Sequence, residues 1–334
     1  MTTKYQWNNI FLTIIVIVLF IFPFVTDSRT WTILLTQIFI FSILAMSYDI
    51  LLGYTGIVSF GHAMFFGIGA YTTAVMLDRV EPTVGVFILS IATGMVIAGI
   101  ISFIVGLLTL RLKSHFYAML TLALSGLFLV LAEKWRSLTS GNDGFTFRAP
   151  EVFKDRMVFY LVVLVCLVVV YILLRRFVQS PLGHVLVAVR ENEQRTKSLG
   201  YKVLHYKVIA SIVAGVVASL AGALYAISLR FVNTSVLTMD ITLDALLMTI
   251  IGGVGTLIGP IIGAGVIELS QHYLSGLAKD YPIFERWIIF FGILYILAVI
   301  FFPSGIVGTI RQAFHKRKKP RVVEEKPSNS KGES

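Results

Sequence analysis

The sequence carries little charge for its length. Charged residues make up 14% of the 334 positions, whereas apolar residues make up 57%. Soluble domains average about 25% charged and about 45–50% apolar residues, so this chain lacks the polar residues that a globular surface in water requires. The composition excludes a soluble globular protein and predicts a chain whose solvent is largely lipid.

Cysteine is almost absent, the single one being Cys166 inside an apolar run. One cysteine excludes an intrachain disulfide and the paired Cys/His spacing of a zinc site. The sequence contains no Gly-Lys dipeptide, which excludes a Walker A phosphate loop, and it contains no Gly-x-Ser-x-Gly nucleophile elbow. We therefore expect no catalytic residue, cofactor or metal in this chain.

Long apolar runs recur along nearly the whole sequence, and a helix needs about 20 such residues to cross the hydrocarbon core. The predicted spans are 9–25, 32–52, 58–77, 84–110, 116–133, 157–174, 208–229, 238–252, 256–275 and 285–303. The eighth is short and interrupted by glycine, so it either crosses or re-enters, and the count is ten or eight. The fold class is an all-α polytopic membrane protein with a transmembrane domain over residues 1–310.

The net charge of +10 has an orienting role in a membrane protein, because Lys and Arg near the ends of spans are retained on the cytoplasmic side. Placing segment 175–207 inside puts most basic residues and both termini in the cytoplasm, at a bacterial-type plasma membrane. The tail 311–334 is predicted to be disordered, with its basic cluster against anionic lipid headgroups. We expect lipid contact for this charge and no nucleic acid.

Two segments interrupt the apolar pattern at length. The outer segment 134–156 is long enough for a small folded element. Within the inner segment 175–207, Asn192 is placed for an N-cap, Glu193 for a first helical turn and Gly200 for the position after a helix end. The inner segment is predicted to contain one short interfacial helix, around residues 191–199.

Few polar residues inside the spans suggest chemistry. Ser59 and His62 share a helix face, but helix packing or capping outweighs a nucleophile and base, because nothing nearby supplies an orienting partner or oxyanion donors. Asp49 is expected within reach of the interface, and Glu268 is expected to extend outward. An ion-coupled secondary carrier is expected to hold several charged residues inside the spans, and this sequence has few, which argues against that function. Such a carrier stays an alternative.

The distribution of glycine indicates helix breaks and close helix packing more clearly than the few charged residues indicate a function. The run 53–71 begins at a helix break and then places small residues on one helix face, and the run 252–264 repeats the pattern. Broken helices expose backbone groups, which are tolerated at membrane depth only in protein or beside a wet pathway. The predicted pathway and break residues are Asp49, Gly53, Gly56, Ser59, Gly61, His62, Gly252, Gly253 and Gly255.

Four segments in order resemble the branched-chain amino acid permease family of ATP-binding-cassette (ABC) importers, and within it the LivM-type subunits, over about residues 31–310. They are 49–56 with 59–71; 138–144, where Ser140 replaces the family's first glycine; 180–201; and 252–256. In the third segment His184 and Asn192 depart from the family's usual Arg and Asp.

The resemblance implies a permease subunit for leucine, isoleucine and valine, although importers of urea, amides and aromatic acids share much of the pattern. The implied partners are a second permease chain, two ATPase subunits that bind the ATP, and an extracytoplasmic binding protein. ATPase coupling is predicted at Arg190, Glu191, Glu193 and Gly200. Docking of the binding protein is predicted at Gly141, Asn142, Asp143 and Gly144.

Overall fold

The computed structural model describes residues 2–25, 28–110, 114–280, 292, 296 and 305–309. The tail 311–334 and nearly all of the predicted span 285–303 lie outside the described residues. Within them the chain is almost entirely helical, with helices α1 (Thr2–Val25), α2 (Arg29–Asp49), α3 (His62–Arg79), α4 (Val84–Thr109), α5 (Ser114–Lys134), α6 (Arg136–Thr139), α7 (Arg156–Gln179), α8 (Pro181–Glu191), α9 (Glu193–Ser198), α10 (Val203–Leu229), α11 (Met239–Gly252) and α12 (Ile258–Asp280). This confirms the predicted all-α polytopic fold class.

Five helices in the described part of the chain are long and apolar enough to cross a membrane. They are Arg29–Thr55, Val84–Thr109, His115–Lys134, Arg156–Gln179 and Val203–Leu229. The first of them is central, because every residue from 38 to 51 is buried. By contrast, α4 and α5 leave many large apolar side chains exposed, as expected for helices whose outer faces contact lipid.

Small residues set the close packing of the central helices. A Cβ atom added at Gly69 of α3 would lie 1.9 Å from the Ser219 carbonyl oxygen, and one at Gly222 of α10 would lie 1.9 Å from the Phe66 carbonyl oxygen. Both distances are far below contact, so any larger residue would force α3 and α10 apart. Such small-residue interfaces let helix backbones approach closely in lipid.

Both predicted glycine breaks are present. Helix α2 ends in a π-helical turn, Ile50–Thr55, and Gly56 follows in a left-handed conformation with φ 72°. Helix α11 ends at Gly252, and the turn before α12 contains Gly253 at φ 127° and Gly255 at φ 80°. Helix α11 has 14 residues, which span about 21 Å and fall short of the roughly 30 Å hydrocarbon core.

The two ends of the helix bundle differ. At one end, here the β-pair end, strand β1 (Phe145–Thr146) pairs antiparallel with β2 (Phe231–Val232). At the other, here the α8–α9 end, the connection from α7 to α10 contains two helices, and Leu110 and Tyr117 from α4 and α5 reach the same cavity as α8 and α9.

The prediction of one short helix in segment 175–207 was wrong, because the structure has two. Ser180 caps α8 by accepting a hydrogen bond from the Gly183 amide at 3.3 Å, and Pro181 occupies the first helical position. Asn192 then ends α8 and caps α9, accepting from the Arg195 amide at 2.9 Å. That cap and the left-handed Gly200, at φ 89°, confirm the predicted boundaries of the second helix.

Candidate functional site

The two helix breaks meet at one buried carboxyl group. Asp49 lies at the end of α2 and is fully buried. Its Oδ1 atom accepts a hydrogen bond from the Gly255 amide at 2.7 Å, and its Oδ2 atom accepts one from the Leu257 amide at 3.2 Å. Asp49 therefore does not reach an interface as expected, because it satisfies backbone donors that the α11–α12 turn leaves free.

Glycine is required where these two breaks touch. A Cβ atom added at Gly53 would lie 2.1 Å from Asp49 Oδ1 and 2.5 Å from the Gly255 amide nitrogen. Gly255 itself has φ 80°, a conformation that other residues adopt only at a steric cost. The spacing of glycines in both runs thus follows from one contact between them.

Arg190, at the end of α8, inserts between the same two breaks. Its Nη1 atom donates a hydrogen bond to the Gly53 carbonyl oxygen. A Cβ atom added at Gly255 would lie 3.0 Å from that nitrogen, and one at Gly56 would lie 3.1 Å from Arg190 Cγ. We call Asp49, Gly53, Arg190 and Gly255 the break cluster. It joins a helix outside the long spans to both broken helices.

Glu193 links the short α9 helix to the start of a long span. Its Oε1 atom pairs with Lys197 at 2.7 Å and its Oε2 atom with Lys207 of α10, also at 2.7 Å. Partial burial raises the pKa of the Glu193 carboxyl, but the hydrogen bonds from the two lysines outweigh that effect, and its pKa lies below the ordinary value. Glu191 and Gly200 are exposed.

Ser59 and His62 do not form a pair. The His62 Nε2 atom lies 2.7 Å from Ser47 Oγ, and the Ser47 hydroxyl donates to the Leu44 carbonyl oxygen at 2.6 Å, so the ring nitrogen is the donor. Ser59 instead accepts from the Gly61 amide at 3.3 Å. These contacts give both residues a packing role at the start of α3.

The remaining break glycines allow close backbone contact. A Cβ atom at Gly252 would lie 1.8 Å from the Gly259 carbonyl oxygen, and one at Gly61 would lie 2.8 Å from the Thr121 carbonyl oxygen. Glu268 on α12 is only 8% exposed, so the expectation that it extends outward was wrong. Its charge interacts with that of Asp244 on α11.

The predicted docking residues lie at the opposite end of the bundle. Gly141 and Gly144 both have φ 64°, and a Cβ atom at Gly144 would lie 2.3 Å from the Val232 carbonyl oxygen. Asn142 accepts a hydrogen bond from the Thr234 hydroxyl at 2.9 Å. Asn142 and Asp143 are exposed, which leaves them available to a partner.

The sequence therefore predicted three groups of residues, at the helix breaks, in the coupling segment and in the outer loop, but it did not predict the contacts between them. The structure unites Asp49, Gly53 and Gly255 with Arg190, and it keeps the outer loop apart. Reasoning from the sequence missed Lys207, Ser47 and Leu257, whose roles depend on contacts across long stretches of chain. For Lys207 the one available signal was a basic residue at the beginning of an apolar span.

Comparison with known proteins places this arrangement in a transport family. Residues 31–299 match the family described as the permease component of the branched-chain amino acid transport system. The chain is 25% identical to the LivM permease protein of the high-affinity branched-chain amino acid transport system of Salmonella typhimurium, over 91% of this chain and 76% of the relative.

Two further relatives show the spread of the similarity. The chain is 24% identical to the probable branched-chain amino acid transport permease LivM of Methanocaldococcus jannaschii, over 80% of this chain and 90% of that protein. It is 29% identical to the autoinducer 2 import permease LsrC of Photorhabdus laumondii, over 45% of this chain and 46% of that protein. No solved structure matches. Because the matched region covers most of the sequence, this chain belongs to the family of branched-chain amino acid transport permeases.

Proposed function

We propose that this chain is the permease subunit of an ABC importer that carries leucine, isoleucine and valine across a plasma membrane, driven by ATP hydrolysis on separate subunits. Family membership and the names of the relatives support the transport class and the substrate. The observation that carries the mechanism is the hydrogen bond from Arg190 to Gly53, which connects α8 to the break after α2 at a point where Gly255 of the second break lies alongside.

The break cluster suits a permease that is moved from outside the membrane. Among the residues that the structure describes, α8 and α9 form the largest folded element between spans at their end of the bundle, and they are the natural site for ATPase subunits on the cytoplasmic side. A shift of α8 withdraws Arg190 from the Gly53 carbonyl and frees α2 and the α11–α12 turn to move. Alternating access then follows from rearrangement at these two breaks.

Glu193 provides a second route for the same motion. Because it pairs with Lys207 of α10, a displacement of α9 reaches α10, which packs against α3 through Gly69 and Gly222. Glu191 is exposed beside it. We assign α9 to the ATPase interface and the exposed Asn142 and Asp143 to a binding protein on the outer side, with a second permease chain completing the pathway.

Reconstitution tests the proposed function. Proteoliposomes containing this chain, a second permease and two ATPases are expected to accumulate radiolabelled leucine only with ATP and the binding protein. Arg195→Glu is expected to weaken ATPase association, because it reverses an exposed charge on α9, whereas Glu81→Lys, an exposed charge reversal outside α8 and α9, is the control. ATP-independent uptake by the complex would contradict the proposal.

A second candidate is an ion-coupled secondary carrier, favoured by the interacting acidic groups of Asp244 on α11 and Glu268 on α12. Intramembrane carboxyl groups are a common feature of proton relays. The chain reconstituted alone distinguishes the two, because a carrier takes up substrate down an imposed ion gradient. Competition of leucine uptake by urea, amides and aromatic acids in a deletion strain then identifies the substrate class.

A further inference from the structure

A cavity of about 700 Å³ lies between α8–α9 and the spans. Its volume falls within the range of about 300–1,000 Å³ that is usual for small-molecule sites. Aliphatic side chains form part of the wall, among them Ile57, Leu110 and Leu204, and charged residues of both signs and neutral polar residues form the rest. A wall of this kind matches a small zwitterion that carries an aliphatic side chain.

The charged residues of the wall are not equally available. Lys197 and Lys207 are both paired with Glu193, so these three charges largely satisfy one another. Arg190 donates through Nη1 to a neutral carbonyl group, and a guanidinium has five N–H donors. Glu191 has no ion pair among the residues that the structure describes. The wall therefore offers one anion, Glu191, without an ion pair in that part of the chain, and one cation, Arg190, whose charge also acts on Asp49 but which keeps further N–H donors.

We propose that this cavity binds the transported amino acid from the cytoplasmic side and slows import. The proposal rests on the function proposed above. The carboxylate binds Arg190, the ammonium group binds Glu191, and the aliphatic side chain contacts Ile57 and Leu204.

Binding at this cavity affects the break cluster directly. A carboxylate forms a charge-assisted, two-pronged hydrogen bond with a guanidinium, about twice as strong as a bond to a neutral acceptor. The ligand therefore competes with the Gly53 carbonyl for Arg190. Because Arg190 connects α8 to both breaks, its capture uncouples the ATPase subunits from the spans when the amino acid accumulates inside.

Preloaded proteoliposomes test this site. The complete importer is reconstituted with the binding protein outside, and the lumen, which corresponds to the cytoplasm, contains ATP and unlabelled leucine. We expect about a twofold drop in initial uptake at the half-saturating lumenal concentration. Lumenal 4-methylpentanoate, which lacks the ammonium group, and 3-methylbutylamine, which lacks the carboxylate, should have much weaker effects. Equal inhibition by all three compounds would contradict the zwitterion site.

A cavity-filling variant separates this site from the pathway. Leu204→Trp places an indole ring in the cavity, and we expect normal uptake into empty vesicles but no inhibition by lumenal leucine. His205→Trp, at an exposed neighbour outside the cavity wall, is the control that should keep the inhibition. Persistent inhibition in Leu204→Trp would overturn the proposal. Absence of uptake even into empty wild-type vesicles would instead count against the proposed function.

Direct binding supplies a measurement that does not depend on transport. The detergent-solubilised importer without binding protein is dialysed against radiolabelled leucine. Saturable binding is expected, and Glu191→Gln should weaken it about tenfold or more, as for the loss of one charged hydrogen-bond partner. Unaltered binding in Glu191→Gln, or no saturable binding by the wild type, would contradict the assignment. Inhibition that follows the anionic-lipid content and not lumenal leucine would assign the cavity to a lipid headgroup.

Discussion

The two long loops of this permease are ordered in different ways. At the β-pair end, segment 134–156 combines side-chain contacts with a backbone pairing of Phe145 with Val232 and left-handed glycines. At the α8–α9 end, segment 175–207 is tied to the spans by side-chain contacts of Arg190 and Glu193. Backbone pairing makes a firm platform, whereas side-chain contacts can be exchanged, and this difference suits a docking surface and a moving element respectively.

The largest expected effect comes from filling the contact between the breaks. In Gly53→Ala the added Cβ would lie 2.1 Å from Asp49 Oδ1 and displace the carboxyl group from the Gly255 and Leu257 amides. We expect a destabilisation of about 2–3 kcal/mol, seen as a lower thermal unfolding midpoint in detergent, together with lost uptake. Gly126→Ala, with nothing within 4 Å of its Cβ, is the matched control, and equal midpoints for the two variants would refute the contact.

At the β-pair end the corresponding change is Gly144→Ala. Its Cβ would lie 2.3 Å from the Val232 carbonyl oxygen, at a residue with φ 64°, so we expect the β1–β2 pairing to break at a cost of about 1–3 kcal/mol. The measurable result is weaker affinity for the binding protein, with the ATPase subunits still associated.

Gly85→Ala serves as the control at the same end, because its Cβ would meet only Thr83 Oγ1, at 3.9 Å. If Gly144→Ala impaired ATPase association and left binding-protein affinity unchanged, the assignment of the two ends would be reversed.

The smallest expected effect concerns Glu193. Lys207→Met removes the link from α9 to α10, and we expect a modest decrease in coupled uptake, since partly exposed ion pairs contribute about 0–1 kcal/mol. Lys197→Met leaves the α10 link intact and should have less effect. The decisive readout is the number of leucine molecules transported per ATP, and a larger loss in Lys197→Met would contradict the assigned route.

The pH dependence of this link has a defined sign. Because the folded-state pKa of Glu193 is lowered, its contribution is full above the unfolded value of about 4.3 and is lost as pH falls through the folded pKa. Between about pH 6 and 8 the contribution of the link should stay constant. Titration of α9 mobility with a spin label at Gln194 measures it, and loosening near neutral pH would be inconsistent with the pairing.

Much of the fold was predictable because its determinants are local. Apolar run lengths predicted the long helices of the described residues, glycine runs predicted both breaks, and the Asn192 cap with Gly200 predicted the ends of α9. Helix α8 has a standard helix start in Ser180 and Pro181, but the mixed apolar and charged residues after them do not form the long apolar run that marks a span.

The connections of the site were not predictable, since they join residues far apart in sequence. Asp49 contacts Gly255 across 206 positions, and Arg190 contacts Gly53 across 137. Composition and periodicity carry no information on such pairs. The same holds for two other residues. His62 was expected beside Ser59, but helix packing places it against Ser47. Glu268 was expected to extend outward, but it interacts with Asp244.

The most direct test of the account is the transport ratio of Arg190 variants in the reconstituted importer. Arg190→Gln is expected to insert and to bind the ATPases, but to transport at least about tenfold less leucine per ATP hydrolysed than the wild type. The reason is that a hydrogen bond from a charged donor is worth about 1.5–3 kcal/mol. Arg190→Lys keeps the charge without the planar fork and should fall between Gln and wild type. A wild-type ratio in Arg190→Gln would contradict the claim that this residue couples ATP hydrolysis to the broken helices.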